Sequence, residues 1–243
     1  MSTSQRLNEH GQPIGFALPG WMGPRVPSRE PRTGRLCRLE PMDPARHAAE
    51  LFEANARDAT GAMWTYLPYG PFTTLAAFRE LLENSFTGGD PLMFVVMEQG
   101  SGRAIGMAGY LRIQPASGSI EVGHVVYSPL LQRKPAATEA MYLMMKQAFA
   151  LGYRRYEWKC DALNAGSRAA AQRLGFSYEG VFRQATVYKG RNRDTAWYSV
   201  VDSEWPSLEA AFTRWLSPEN FDEQGVQRIS LSALTGPLLK SRG

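Results

Sequence analysis

The chain has 243 residues, 44% of them apolar and 21% charged, with a formal net charge of +4. This length holds one large domain with extensions, and the composition is that of a globular protein rather than a disordered or fibrous one. So small a positive charge gives no case for a nucleic-acid partner, and no run approaches the ~18 apolar residues of a membrane span.

Residues 11–34 hold five glycines and five prolines, which excludes a regular helix or a central strand. Phe16, Leu18, Trp21 and Met22 are too apolar for a free linker, so an arm laid along the body or along a second subunit is expected. Arg25, Arg29, Arg32, Arg35 and Arg38 read as a solvated basic face, because no aromatic stacking pattern accompanies them. The N-terminal MSTSQRLNEHGQ carries no apolar leader, which with only two cysteines, Cys37 and Cys160, gives the expectation of a reduced, cytoplasmic protein. Those cysteines and the three histidines, His10, His47 and His124, have no metal-ligand spacing.

A short strand is expected at Arg35–Leu39. Asp43-Pro44 then opens a helix through about Arg57, and an aromatic loop covers 60–72. Thr73 or Thr74 caps a second helix to about Leu82. Strands at Leu92–Glu98, Ala104–Gln114 and Ser119–Tyr127 are separated by turns at 100–102 and 115–118. Ala137, Ala140, Met141, Met144 and Ala148 share one face of a helix over 136–150. Tyr153–Lys159 is a strand expected to lie parallel to 119–127, since a helix joins the two. A second helix opens at Asn164. Strands 177–188 and 193–202 form a hairpin around Lys189–Asn192, and a last helix spans about 207–215.

The stretch from Leu131 to Gly180 carries the functional signal. A basic turn runs straight into a helix, where free N–H groups and the helix dipole favour a pyrophosphate. Together with the strand before it, from about Ser119, the stretch resembles the acyl-CoA-binding half of the GNAT-type N-acyltransferases. The family pattern there is Gln or Arg, two residues, Gly, one residue, then Gly or Ala. Here Gln132-Arg133-Lys134-Pro135-Ala136-Ala137 matches at Gln132 and Ala137 and replaces the glycine with Pro135. WKCDALNAGSRAAAQRLGF, KGRNRDTAWYS and DSEWP further resemble the branch related to the N-terminal acetyltransferases of ribosomal proteins.

The resemblance implies an α/β fold: a mixed, twisted, mostly antiparallel sheet of about six or seven strands with helices on both faces. It divides the chain into an arm (1–34), an acyltransferase domain (35–217) and a C-terminal extension (218–243). It implies acetyl-CoA as co-substrate and no metal. The turn from Gln132 to Thr138 would take the pyrophosphate, with Arg133 and Lys134 supplying charge. Backbone N–H groups at Val125, Val126 and Tyr127 would face the acyl oxygen. Glu121 would take the proton of the amine, with His124 as the alternative; strand alternation puts the two on opposite faces, so only one is expected to see the acceptor. Ser167 would hydrogen-bond the departing sulfur, since Ala171 stands where many relatives place a tyrosine. Asn164 has two open roles, helix cap and contact to pantetheine.

Trp64, Tyr66, Tyr69 and Phe72, with Arg183, Tyr188, Trp197 and Tyr198, are candidates to line an acceptor pocket or to form core. The implied reaction is N-acetylation of a small amine or a protein N-terminus, with no nucleic-acid or membrane partner; the apolar arm and tail point to a homodimer. The other reading left open is a CoA-binding module without turnover.

Overall fold

In the computed structural model, residues 6–243 are described. The first five residues of the stretch read as lacking an apolar leader lie outside them. Two elements form a separate exposed hairpin, β1 (Arg6–Leu7) and β2 (Pro13–Ile14). The body is an eight-stranded sheet made of β3 (Arg32–Thr33), β4 (Cys37–Pro41), β5 (Leu92–Glu98), β6 (Ala104–Gln114), β7 (Ser119–Tyr127), β8 (Arg155–Asp161), β9 (Ser177–Tyr188) and β10 (Arg191–Val201). The strand order is β3-β4-β5-β6-β7-β8-β10-β9, and β7–β8 is the parallel pair. The eighth strand, β3, is two residues wedged between Pro31 and Gly34, too short for any periodicity to announce.

Alternation splits the sheet between two cores. Leu92, Phe94 and Val96 face α3 (Pro135–Ala150) and α5 (Trp205–Leu216), joining Met141, Met144 and Phe212. Met93, Val95 and Met97 face α1 (Pro44–Asn55) and α2 (Leu75–Ser85), joining Leu51, Phe78 and Leu82. The starts of these helices follow their caps. Asp43 accepts from the Ala45 and Arg46 N–H groups ahead of α1, and Thr74 accepts from Ala77 N–H ahead of α2. Pro135 begins α3 one residue earlier than expected, since its fixed φ suits a first helical position and its missing N–H costs nothing there. The β9–β10 turn is tighter than the four residues expected. It is Lys189-Gly190, both with positive φ, a geometry that matches strand twist.

The arm lies along its own body. The Trp21 indole N–H donates to Ala116 O at 3.0 Å, and its ring covers Gly118, where a Cβ would stand 2.7 Å away. The arm gives way to the body where the buried Glu139 carboxylate of α3 accepts the N–H groups of Arg35, Leu36 and Cys37 at 2.9, 2.6 and 2.8 Å. The weakly patterned tail contains α6 (Leu231–Thr235) and ties to α4 (Ala165–Arg173): Thr235 Oγ1 donates to Arg173 O.

Candidate active site

The parallel pairing of β7 and β8 ends at Val122–Trp158, yet β7 continues to Tyr127 and β8 to Asp161. The strands therefore part, and the cleft edge of β7 from Gly123 onward faces no neighbouring strand. Two cavities open on this gap and share Val125, Trp158, Asn164 and Ser167.

The larger cavity, about 940 Å³, runs over the start of α3. Gln132, Arg133, Lys134, Pro135, Ala137 and Thr138 line it, as do Val125 and Tyr127. Of the residues expected here, Ala136 packs against the core and the Val126 side chain turns into the core under α1 and α2. Lys134 is the helix cap residue and offers no side-chain bond, so the first-turn donors stay open to a ligand. Arg133 takes φ +60°, the left-handed conformation that lets the turn close.

Several lining residues escaped the sequence reading. Arg173, at the end of α4, has a guanidinium 2.8 Å from Thr138 Oγ1 and no acidic partner among the described residues; burial pulls its pKa down. Trp215, Phe221, Val226 and Gln227 close the outer side, with Trp215 Nε1–H donating to Gln227 Oε1 at 2.7 Å. No periodic signal marks residues 221–227, because they form a wall through one isolated bridge, Phe221–Gln227, rather than through a regular element.

The smaller cavity, about 290 Å³, lies on the other side of the gap. Glu121 lines it, 2% exposed. Its carboxylate accepts Arg112 Nε–H and Nη2–H at 2.6 Å each, and pairs with Lys159 Nζ at 2.8 Å. Lys159 is also held by Glu157 at 2.8 Å and sits 3.7 Å from the centre of the Trp197 ring.

His124 lines the same cavity, contrary to the expectation from alternation. The register explains it. Gly109 pairs with Gly123 but Met107 pairs with Val126, so two residues of β7 stand opposite one of β6. This bulge, with His124 at φ +48°, resets which side chains point into the smaller cavity. The His124 ring stacks on Tyr69 at 5.8 Å and its Nδ1 lies 3.1 Å from the Tyr69 hydroxyl. Burial, with Arg112 nearby, pushes its pKa down to about 4, so it is neutral near pH 7.

Asn164 caps α4 by accepting Ser167 N–H at 3.0 Å. Ser167 Oγ accepts the Trp158 indole N–H at 3.0 Å and stands where both cavities meet. Cys160 is a buried core thiol whose pKa burial pushes up, which disfavours a nucleophilic thiolate.

The aromatic candidates divide. Trp64, Tyr69 and Phe72 pack against each other or Phe78, Tyr198 is fully buried, and Tyr66 lines the smaller cavity. Tyr188 spends its hydroxyl on Asp161, and Arg183 is exposed. Arg193, which sequence reading did not single out, lines the cavity from β10.

A parted pair of parallel strands, with a cleft over a helix start on one side of the gap and a smaller cavity on the other, fits the acetyltransferase class. The comparisons agree. The acetyltransferase (GNAT) domain family model matches residues 36–177, more than half of the chain. A GCN5-related N-acetyltransferase from Brucella melitensis is 46% identical, with a TM-score of 0.88 over 90% of this chain and 100% of that one. A GNAT-family protein from Chromobacterium violaceum is 44% identical, with a TM-score of 0.75 over 80% of this chain and 98% of that one. An acetyl transferase from Salmonella typhimurium that modifies the N-terminal serine of a 50S ribosomal subunit protein shares the fold at 19% identity, with a TM-score of 0.58 over 71% of this chain and 99% of that one. No curated protein matches the chain. The chain belongs to the GNAT acetyltransferase family. Among the described residues, no three His, Cys, Asp or Glu side chains cluster to hold a metal, and no helix is long and apolar enough to cross a membrane.

Proposed function

We infer that the protein moves an acetyl group from acetyl-CoA directly to a primary amine, either a protein N-terminus or a small amine. The observation that carries this is the meeting of two cavities at Val125, Trp158, Asn164 and Ser167, which lets donor and acceptor approach one carbon from opposite sides. The pyrophosphate lies on the first turn of α3, with Gln132, Arg133, Lys134, Pro135, Ala136, Ala137 and Thr138 forming its turn. Asn164 holds the pantetheine amides.

The amine nitrogen bonds to the thioester carbonyl carbon, and N–H groups near Val125–Tyr127 take the developing oxyanion. After the C–N bond forms, the nitrogen gives up its second proton through water; as the C–S bond breaks, the Ser167 hydroxyl hydrogen-bonds the thiolate, which takes up that proton and leaves as the free thiol. The ammonium proton leaves through water to Glu121. Three charge-assisted bonds hold that carboxylate in place. An α-amine, with pKa ~7.7–8.0, fits better than a lysine ammonium at ~10.4. A structural relative that modifies an N-terminal serine supports the α-amine reading.

Residues 35–217 form the catalytic domain in this reading. The 1–34 arm braces it, and the 218–243 extension completes the acetyl-CoA cleft. A cytoplasmic location and a homodimer built through the exposed Phe16 and Met22 belong to the same proposal, and sedimentation tests the dimer. Transfer of labelled acetyl from acetyl-CoA to peptides with a free N-terminus, against the same peptides blocked there but carrying lysine, tests the acceptor class. Label on the free N-terminus is expected; label on lysine alone would overturn the α-amine reading.

A further inference from the structure

The acceptor cavity holds a guanidinium that none of its own carboxylates bonds. Arg112, Lys159 and Arg193 line it, with the carboxylates of Glu121 and Asp161. Arg112 is bonded to Glu121, and Lys159 is shared between Glu121 and Glu157. Asp161 turns its oxygens to the Tyr188 hydroxyl and Leu163 N–H, accepting both at 2.8 Å. Arg193 is left over. Its Nε is buried without a hydrogen-bond partner, it makes no ion pair among the described residues, and its guanidinium carbon stands 5.7 Å from the Tyr188 ring centre.

A buried donor without a partner is rare enough in folded proteins to need a reason, and a guanidinium is the donor set best shaped for a carboxylate or phosphate. The placement is local to the strand hairpin. Register slips where β10 meets β9: between the Arg193–Thr186 and Thr195–Phe182 pairs, three residues of β9 stand opposite Asp194, with Gln184 at φ +52°. A guanidinium without a bound anion has two effects on an incoming ammonium. It repels the charged amine, and it favours the neutral, nucleophilic form. Both serve catalysis only if another part of the acceptor supplies attraction.

We propose that the acceptor is a primary amine bearing its own anionic group, a carboxylate or phosphate, and that Arg193 holds that group in the cavity beside the gap. This rests on the amine-acceptor reading above. The cavity volume of about 290 Å³ limits the part of the acceptor inside it to about one amino-acid unit.

Matched pairs test it: β-alanine against β-alaninamide, phosphoethanolamine against ethanolamine, and a peptide amide beginning serine-glutamate against its serine-glutamine counterpart. Each is titrated calorimetrically into the protein saturated with CoA, and each is assayed for transfer from acetyl-CoA. In at least one pair the anionic member should bind about tenfold or more tightly, as a charge-assisted bond allows. Which pair responds distinguishes a free carboxylate, a phosphate and an acidic peptide. Arg193→Gln should erase that preference, and Arg193→Lys should keep part of it. The melting temperature of Arg193→Gln should stay close to that of the wild type, because the guanidinium lost made no ion pair and only a long contact with the Tyr188 ring. Equal affinity within every pair, or a preference that survives Arg193→Gln, would overturn the inference. Tight anionic binding without acetyl transfer would support the anion site while removing the amine-acetylation reading. Transfer to neutral amines with no anionic preference would do the reverse.

Discussion

Both nitrogens of the Arg112 fork grip the Glu121 carboxylate at 2.6 Å, and Lys159 grips it from the next strand at 2.8 Å. Glu121 is thus both the proposed proton acceptor and the centre of a charge cluster across β6, β7 and β8. Glu121→Gln should lower turnover near neutral pH, recover in part at high pH, and leave acetyl-CoA affinity nearly unchanged. It should also cost stability, since Lys159 is only 8% exposed and loses one of two partners. Breaking a buried pair costs ~3–5 kcal/mol; the lower end applies because Arg112 is 56% exposed and Lys159 keeps Glu157. Denaturant melts and a pH–rate profile read both effects. Full activity in the variant would remove Glu121 from the mechanism and promote His124.

His124 makes a pH prediction of its own. Its folded pKa of about 4 lies below the ordinary ~6.5, so the unfolded chain binds the proton more readily. Its contribution to stability is complete above pH ~6.5 and is lost as pH falls toward 4. The wild type should therefore lose more melting temperature between pH 7 and pH 4.5 than His124→Asn does. Parallel curves for the two proteins would show that His124 does not resist protonation in the fold.

The contrast between these two residues shows where sequence suffices. The order of elements, the helix caps at Asp43 and Asn164, the parallel β7–β8 pair and the basic turn into α3 are legible because caps, periodicity and crossovers leave local marks. The bulge at His124 leaves none: it lies in the pairing of β7 with β6, and it overturns the expectation from alternation. Arg173, Arg193 and the wall at 221–227 were equally silent, since what makes them notable is a missing partner or a tertiary contact.

Ser167→Ala should slow acyl transfer less than Glu121→Gln does. A free thiol has pKa ~8.5, so the departing sulfur needs little help near neutrality. Side-by-side turnover numbers decide the order. A larger loss in Ser167→Ala would make leaving-group protonation limiting.

Arg173 and Pro135 bracket the proposed pyrophosphate site with opposite signs. Arg173→Gln removes a charged donor worth ~1.5–3 kcal/mol, so CoA binding should weaken at least about tenfold and depend less on salt. Pro135→Gly restores an N–H of the same worth, against ~0.4–1 kcal/mol of added chain freedom. Net tightening with a slightly lower melting temperature is expected. Calorimetric titration of CoA into both variants checks this; equal affinities for Pro135→Gly and wild type would mean that the residue 135 N–H never faces the phosphate.

If the two cavities at the parted strands bring acetyl-CoA and an amine together, free thiol release from acetyl-CoA, measured with and without a panel of primary amines and N-terminally free peptides, should be slow alone. It should rise with at least one amine, matched by an equal amount of acetylated amine. Release that no amine accelerates, in a protein that still binds acetyl-CoA, would contradict it.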